Sequence, residues 1–227
     1  MAETLPLFPL GTVLLPGASL PLHVFEPRYR QMTVDLVTGA VPGRSFGVVA
    51  VKQGHAAERG AAEIMHDVGC TALLREARRL PDGRFDIVTR GERRFRLLDI
   101  DDTAGSPYLV GRVEWVPDAD VADDQQMLLP MLAKSAREAH RLYCAAAWQR
   151  EDWKEPDADV SPSALPHLLA ADCLLTLEDR QELLEERRAT NRLRLVRTLL
   201  VREAEFLRAL RAVPAPLNQF TTEMTRN

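Results

Sequence analysis

Hydrophobic periodicity changes once along this chain, near residue 117, and that change restricts the fold more than any other feature. Before it lie short runs of β-type composition, at 5–10, 19–25, 46–52, 70–76, 85–90, 95–100 and 108–116, punctuated by proline and glycine. After it, Met127, Leu128, Met131, Leu132, Ala136, Ala139, Leu142 and Tyr143 recur at helical spacing. Strands followed by helices, rather than alternating with them, predict an α+β fold in which a barrel or folded sheet precedes a helical bundle. The expected division is a β-rich module over 1–118, a helical module over 119–213 and a loose tail over 214–227.

Within the first half, Pro81-Asp82-Gly83 is the clearest turn, because proline presets φ and glycine tolerates a positive φ. Residues 73–79 and 85–90 should therefore pair as a hairpin, and Gly91 offers a bulge or bend before Phe95 and Leu97 resume alternation. One helix interrupts this half, at 27–38. Pro27 suits its first position, Glu26 stands before the free amides, and Tyr29, Met32 and Leu36 share a face. In the second half, 150–159 reads as an interhelical loop, Ser161-Pro162 as the start of a short helix through Leu165, Leu168 and Leu169, and Thr176 as another helix start. Leu193, Val196, Leu199, Leu200, Leu207 and Leu210 form the stripe of a last long helix, which Pro214 and Pro216 end.

Composition excludes several classes. With 227 residues, 46% of them hydrophobic and 27% charged, the chain can bury a full core and is too apolar for disorder. Prolines 6, 9, 16 and 21 break every stretch that could pose as a signal peptide, and no apolar run approaches the roughly 20 residues that span a bilayer. A cytoplasmic location without membrane association is the expectation. Cys70, Cys144 and Cys173 are odd in number and far apart, so they read as reduced core residues. A net charge of −4 argues against general affinity for nucleic acid.

No catalytic signature appears. There is no GxxxxGK[ST] loop, no GxGxxG, no HExxH and no GxSxG, and the five histidines are scattered. His140 and Cys144, at i and i+4, lack a second pair of ligands and read as packing residues. No cofactor, metal or catalytic residue is therefore expected.

Candidate contact residues come from two patterns. Leu22, Phe25, Glu26 and Tyr29 surround the junction where a strand runs into a helix; Leu22 and Phe25 fall on opposite faces of a regular strand, so either one is exposed or the strand is distorted there. Glu26 could cap the helix or pair with Arg93 or Arg94. Trp148 and Trp153 flank the acidic interhelical loop, where aromatic side chains could anchor a partner. Arg75, Arg78, Arg79, Arg84, Arg90, Arg93, Arg94 and Arg96 crowd one segment; a solvated arginine-bearing hairpin is the plain reading, with Arg93 and Arg94 as contacts for an anion or acidic peptide.

The phrases LPLFPLGTVLLPGASLPLHVFEPRYRQM, FGVVAVKQG, DVGCTALLREARRLPDGRFDIVTRGERRFRLLDI and SPYLVGRVEWVPD, in that order, resemble the N-terminal domain of Lon proteases, with FEPRYRQM similar to its stand-alone bacterial branch. LLAADCLLTLEDRQELLEERRATNRLRLVRTLL resembles, more loosely, the helical pair that closes that domain. The resemblance implies a PUA-like β pseudo-barrel followed by an α-helical bundle. It also implies a non-catalytic module that recognises proteins or unfolded peptide segments, without the ATPase and peptidase parts of a full Lon protease, and leaves weak self-association open. PUA-like barrels can also read RNA, so an RNA-binding role for the arginine-rich hairpin is the alternative.

Overall fold

The computed structural model describes residues 3–52, 64–101, 103–147 and 153–210. Six strands are arranged in one sheet: β1 (Glu3–Leu10), β2 (Ser19–Val24), β3 (Ser45–Ala50), β4 (Val68–Arg79), β5 (Phe85–Ile100) and β6 (Val110–Trp115). Their order is β2-β5-β4-β3-β1-β6, and the second half of β5 also pairs with β6. That last pairing closes a ring of five strands, with β2 held outside it on the first half of β5. Only β1 and β3 run parallel. Closure satisfies backbone groups that an open edge would leave to solvent.

The ring is narrow, and Phe95 fills it with Leu7, Val49, Met65 and Val113. Such a filling demands glycine on the wall: a Cβ on Gly47 or Gly69 would stand 2.7 or 2.6 Å from Phe95 Cζ. The hairpin turn forms as expected, with Gly83 at φ 81°, Arg79 opposite Phe85, and the Leu80 and Arg84 backbones bonded across it. The two runs at 85–90 and 95–100 are one continuous strand. It bulges just after Gly91, where the pairs Ala72/Gly91 and Cys70/Arg94 bracket one extra residue in β5.

Helix α1 (Pro27–Thr38) begins and ends as its sequence predicts, and buries Tyr29, Met32, Thr33 and Leu36. Beyond the barrel come α2 (Asp123–Gln126), α3 (Leu129–Ala147), α4 (Leu165–Ala170), α5 (Leu177–Glu185) and α6 (Ala189–Leu210). Thr176 caps α5, its hydroxyl accepting from the Asp179 amide at 3.1 Å. Ser161 caps the turn that leads into α4, its hydroxyl accepting from the Ala164 amide at 3.3 Å and its carbonyl from the Leu165 amide at 3.0 Å, but the regular helix begins only four residues later. The reason is local: Pro166 has no N–H, so the next i→i+4 bond, to the Pro162 carbonyl, cannot form. The apolar stripes are shorter than their spacing suggests, since Met127, Met131, Leu142 and Leu210 are exposed.

One apolar cluster runs through both halves. It joins Leu14, Val24, Met32, Phe46, Leu74 and Ile87 to Tyr143, Leu169, Leu184, Leu193, Val196 and Leu200. Secondary structure changes between Trp115 and Asp123, but packing does not. The three cysteines are free and buried, and burial pushes the Cys70 and Cys144 thiols up to about 12. The expected tail at 214–227 lies outside the described residues.

Candidate functional site

Phe25 is 61% exposed at the end of β2, beside His23, while Leu22 packs partly against the core. The two thus face opposite ways, as alternation requires. Tyr29 is a core residue, stacked on Phe8 with ring centroids 3.9 Å apart, and its ring offers no contact surface. Glu26 pairs with Arg28 at 2.8 Å and makes no side-chain cap bond, so neither the expected cap nor a pairing with Arg93 or Arg94 exists. Proximity explains it: Arg28 is two residues away, whereas Arg94 is committed elsewhere. Trp153 packs edge-on against His140, with centroids 5.7 Å apart, and is partly buried; Trp148 lies outside the described residues. Phe25, Trp153 and Arg93 stand on different elements and form no common site; Phe25 and Arg93 are separated by roughly 25 Å along β5, at about 3.3 Å per residue.

The arginines diverge sharply. The bulge after Gly91 turns Arg93 outward and Arg94 inward, so that Arg94 is 5% exposed. Arg94 Nη1 donates to the carbonyls of Leu184 at 2.9 Å and Glu186 at 2.7 Å, and Nη2 donates to Asp118 Oδ1. Arg192, on α6, is 0% exposed and donates through both Nη atoms to the two Asp118 oxygens at 2.8 Å, and to the carbonyls of Glu186 and Ser163. Asp118 therefore ties β5 to α6 at the point where the chain leaves the barrel. The Leu184 and Glu186 carbonyls come from the C-terminal end of α5, where backbone dipoles leave partial negative charge, and that of Ser163 from the turn before α4. Burial pulls the Arg94 pKa down, and neighbouring Arg192 adds to that shift.

A cleft of about 320 Å³ opens beside this lock. Arg93 and Trp115 stand at it, with the Arg93 guanidinium 3.7 Å above the indole, and Trp115 Nε1 donates to Glu3 Oε1 at 2.8 Å. His167 also lines it; burial pushes the His167 imidazole down to about 3, helped by Arg192 and Arg94, so the ring is neutral at pH 7. His167 Nε2 and Arg192 Nε are buried without hydrogen-bond partners.

Asp118, His167, Trp115 and Arg192 escaped the sequence reading. One signal was present: Arg192 lies four residues before Val196 and eight before Leu200, on the apolar stripe of α6. A cation there has to be paired inside the protein. His140 and Cys144 are buried neighbours, with Sγ 3.5 Å from Nε2, and no group of three potential metal ligands occurs among the described residues.

The barrel-and-helix arrangement is that of Lon N-terminal domains. It superimposes on the N-terminal domain of a Mycobacterium avium complex Lon protease with a TM-score of 0.63 at 23% identity, covering 87% of this chain and 98% of that one. The Lon N-terminal domain protein of Xanthomonas campestris matches with a TM-score of 0.56 at 24% identity, over 93% and 99%. Residues 4–202 match the family described as the ATP-dependent protease La (LON) substrate-binding domain, and the chain belongs to that family. Among whole proteases it is 32% identical to the Lon protease of Anaeromyxobacter dehalogenans over 208 residues, and 30% identical to Lon protease 2 of Myxococcus xanthus over 210. These alignments take in 90% and 91% of this chain but 24% of each protease, so the chain spans about a quarter of their length.

Proposed function

We propose that the chain is a non-catalytic recognition module that binds exposed apolar or unfolded segments of other proteins in the cytoplasm. The observation that carries this reading is the match to the Lon substrate-binding family over residues 4–202. Exposed Phe25, standing clear of the core at the β2–α1 junction, is the side chain best placed to border an apolar contact. The RNA-binding alternative has less support. Within the arginine-rich hairpin, Arg78 already pairs with Asp86 and Arg84 with Asp82, and the net charge is −4.

The test is fluorescence anisotropy with a permanently unfolded, labelled protein, in parallel with ATPase and protease assays on the same preparation. Saturable binding without nucleotide, and no hydrolysis or cleavage, is expected. Absence of binding would overturn the recognition reading. Activity that copurifies with the chain and vanishes on one substitution would overturn the non-catalytic reading.

A further inference from the structure

The cleft beside the barrel–helix lock holds an imbalance of charge. Arg93, Arg94 and Arg192 line it against Asp118 and Glu92, and His167 is neutral there. Arg94 and Arg192 share the single carboxylate of Asp118. Among the described residues Arg93 has no ion pair and no side-chain hydrogen bond, yet it is not loose, because its guanidinium carbon stands 3.7 Å over the ring of Trp115, which Glu3 in turn holds. Stacking uses the face of a guanidinium and leaves its N–H edge open, and a stacked fork loses less freedom on binding than a free one. Arg94 and Arg192, 5% and 0% exposed, are spent on the lock, so Arg93 is the lining cation whose N–H groups a ligand can reach.

From this geometry we infer that the cleft is a subsite for a carboxylate of a bound peptide, taken through the Arg93 fork at its rim. The inference rests on the recognition reading above and names the chemistry of the segment bound. A carboxylate supplies the one negative charge the cleft lacks and accepts two parallel N–H bonds from a guanidinium. A dianionic phosphate fits less well, because Asp118 and Glu92 stand on the same walls.

The experiment uses the full chain and labelled unstructured peptides of one sequence in four forms: with Asp and Glu or with Asn and Gln, and with a free or an amidated C-terminus. The acidic or free-terminus form should bind about tenfold more tightly than its neutral counterpart, which matches one charge-assisted bond. The difference between the free and amidated forms reports a terminal carboxylate, and that between Asp/Glu and Asn/Gln a side-chain one. Arg93→Gln should remove the preference while leaving the melting temperature unchanged, since Arg93 is exposed. Equal binding of charged and neutral peptides, or an Arg93→Gln variant that keeps the preference, would overturn the inference. So would displacement of the peptide by inorganic phosphate or RNA at equal concentration. If the neutral unfolded protein binds wild type and Arg93→Gln alike with no carboxylate preference, the subsite fails and the recognition reading stands. If nothing unfolded binds at all, both fail.

Discussion

Asp118 answers for two cations, and its removal should show it. Asp118→Asn leaves Arg94 and Arg192 buried with only carbonyls opposite, and we expect a loss of about 3 kcal/mol in urea unfolding. The estimate takes the low end for a broken buried pair because the Asp118 side chain is 41% exposed. A change below about 1 kcal/mol would reduce the lock to an ordinary surface pair. His167 gives a second residue-scale test. Its native pKa of about 3 lies below the roughly 6.5 of an unfolded histidine, so between those values the unfolded state binds more protons. Stability is therefore full above about pH 6.5 and should fall as pH drops toward 3. A second buried histidine, His140, is shifted the same way, and Arg94, Arg192 and Asp118 surround His167. His167→Gln should flatten the part of the slope between pH 6.5 and 5, above the carboxylate range; an unchanged slope would exclude His167 as its source.

At the level of elements, β5 sets the architecture. It pairs with β2, β4 and β6, and its register shifts after Gly91 and again between Leu97 and Asp99 accompany the change of partner. At Gly91 the backbone of β5 meets the segment before β2, with Gly17 N donating to Gly91 O and Gly91 N to Ala18 O. A Cβ on Gly91 would lie 2.2 Å from the Leu15 carbonyl oxygen, a backbone atom that cannot step aside. Gly91→Ala should cost about 2–3 kcal/mol and lower the melting temperature accordingly; a near-neutral substitution would mean the strands part easily there. The sequence announced the bulge after Gly91, just as it announced the bounds of α1, the hairpin turn and the Thr176 cap, because all of these are written in neighbouring residues. It placed the Ser161 cap correctly but the regular helix too early, because Pro166 has no N–H for the Pro162 carbonyl.

Across the whole molecule, the barrel and the helices share one apolar cluster and one polar lock, and from this we expect that neither half folds alone. Residues 3–118 produced by themselves should give a poorly dispersed NMR spectrum and no cooperative melt, whereas 3–210 should give a well-dispersed spectrum and a cooperative melt; a folded 3–118 fragment would make the two halves independent domains. By itself the sequence determined the α+β class, the order of strands before helices, and the resemblance that family membership then made firm. Those depend on periodicity, turn chemistry and short phrases, which are local in the chain. It could not tell Arg93 from Arg94, place Glu26 beside Arg28 or bury Tyr29 and Arg192. Apart from the Glu26–Arg28 pair, which is local, these depend on which distant groups face the side chain: Arg94 finds partners 24 to 92 positions away, and Arg93 lies on an indole 22 positions on. Only closing the ring and laying α4 to α6 against it brings such groups together, and burial then fixes which charge is structural and which remains free to bind.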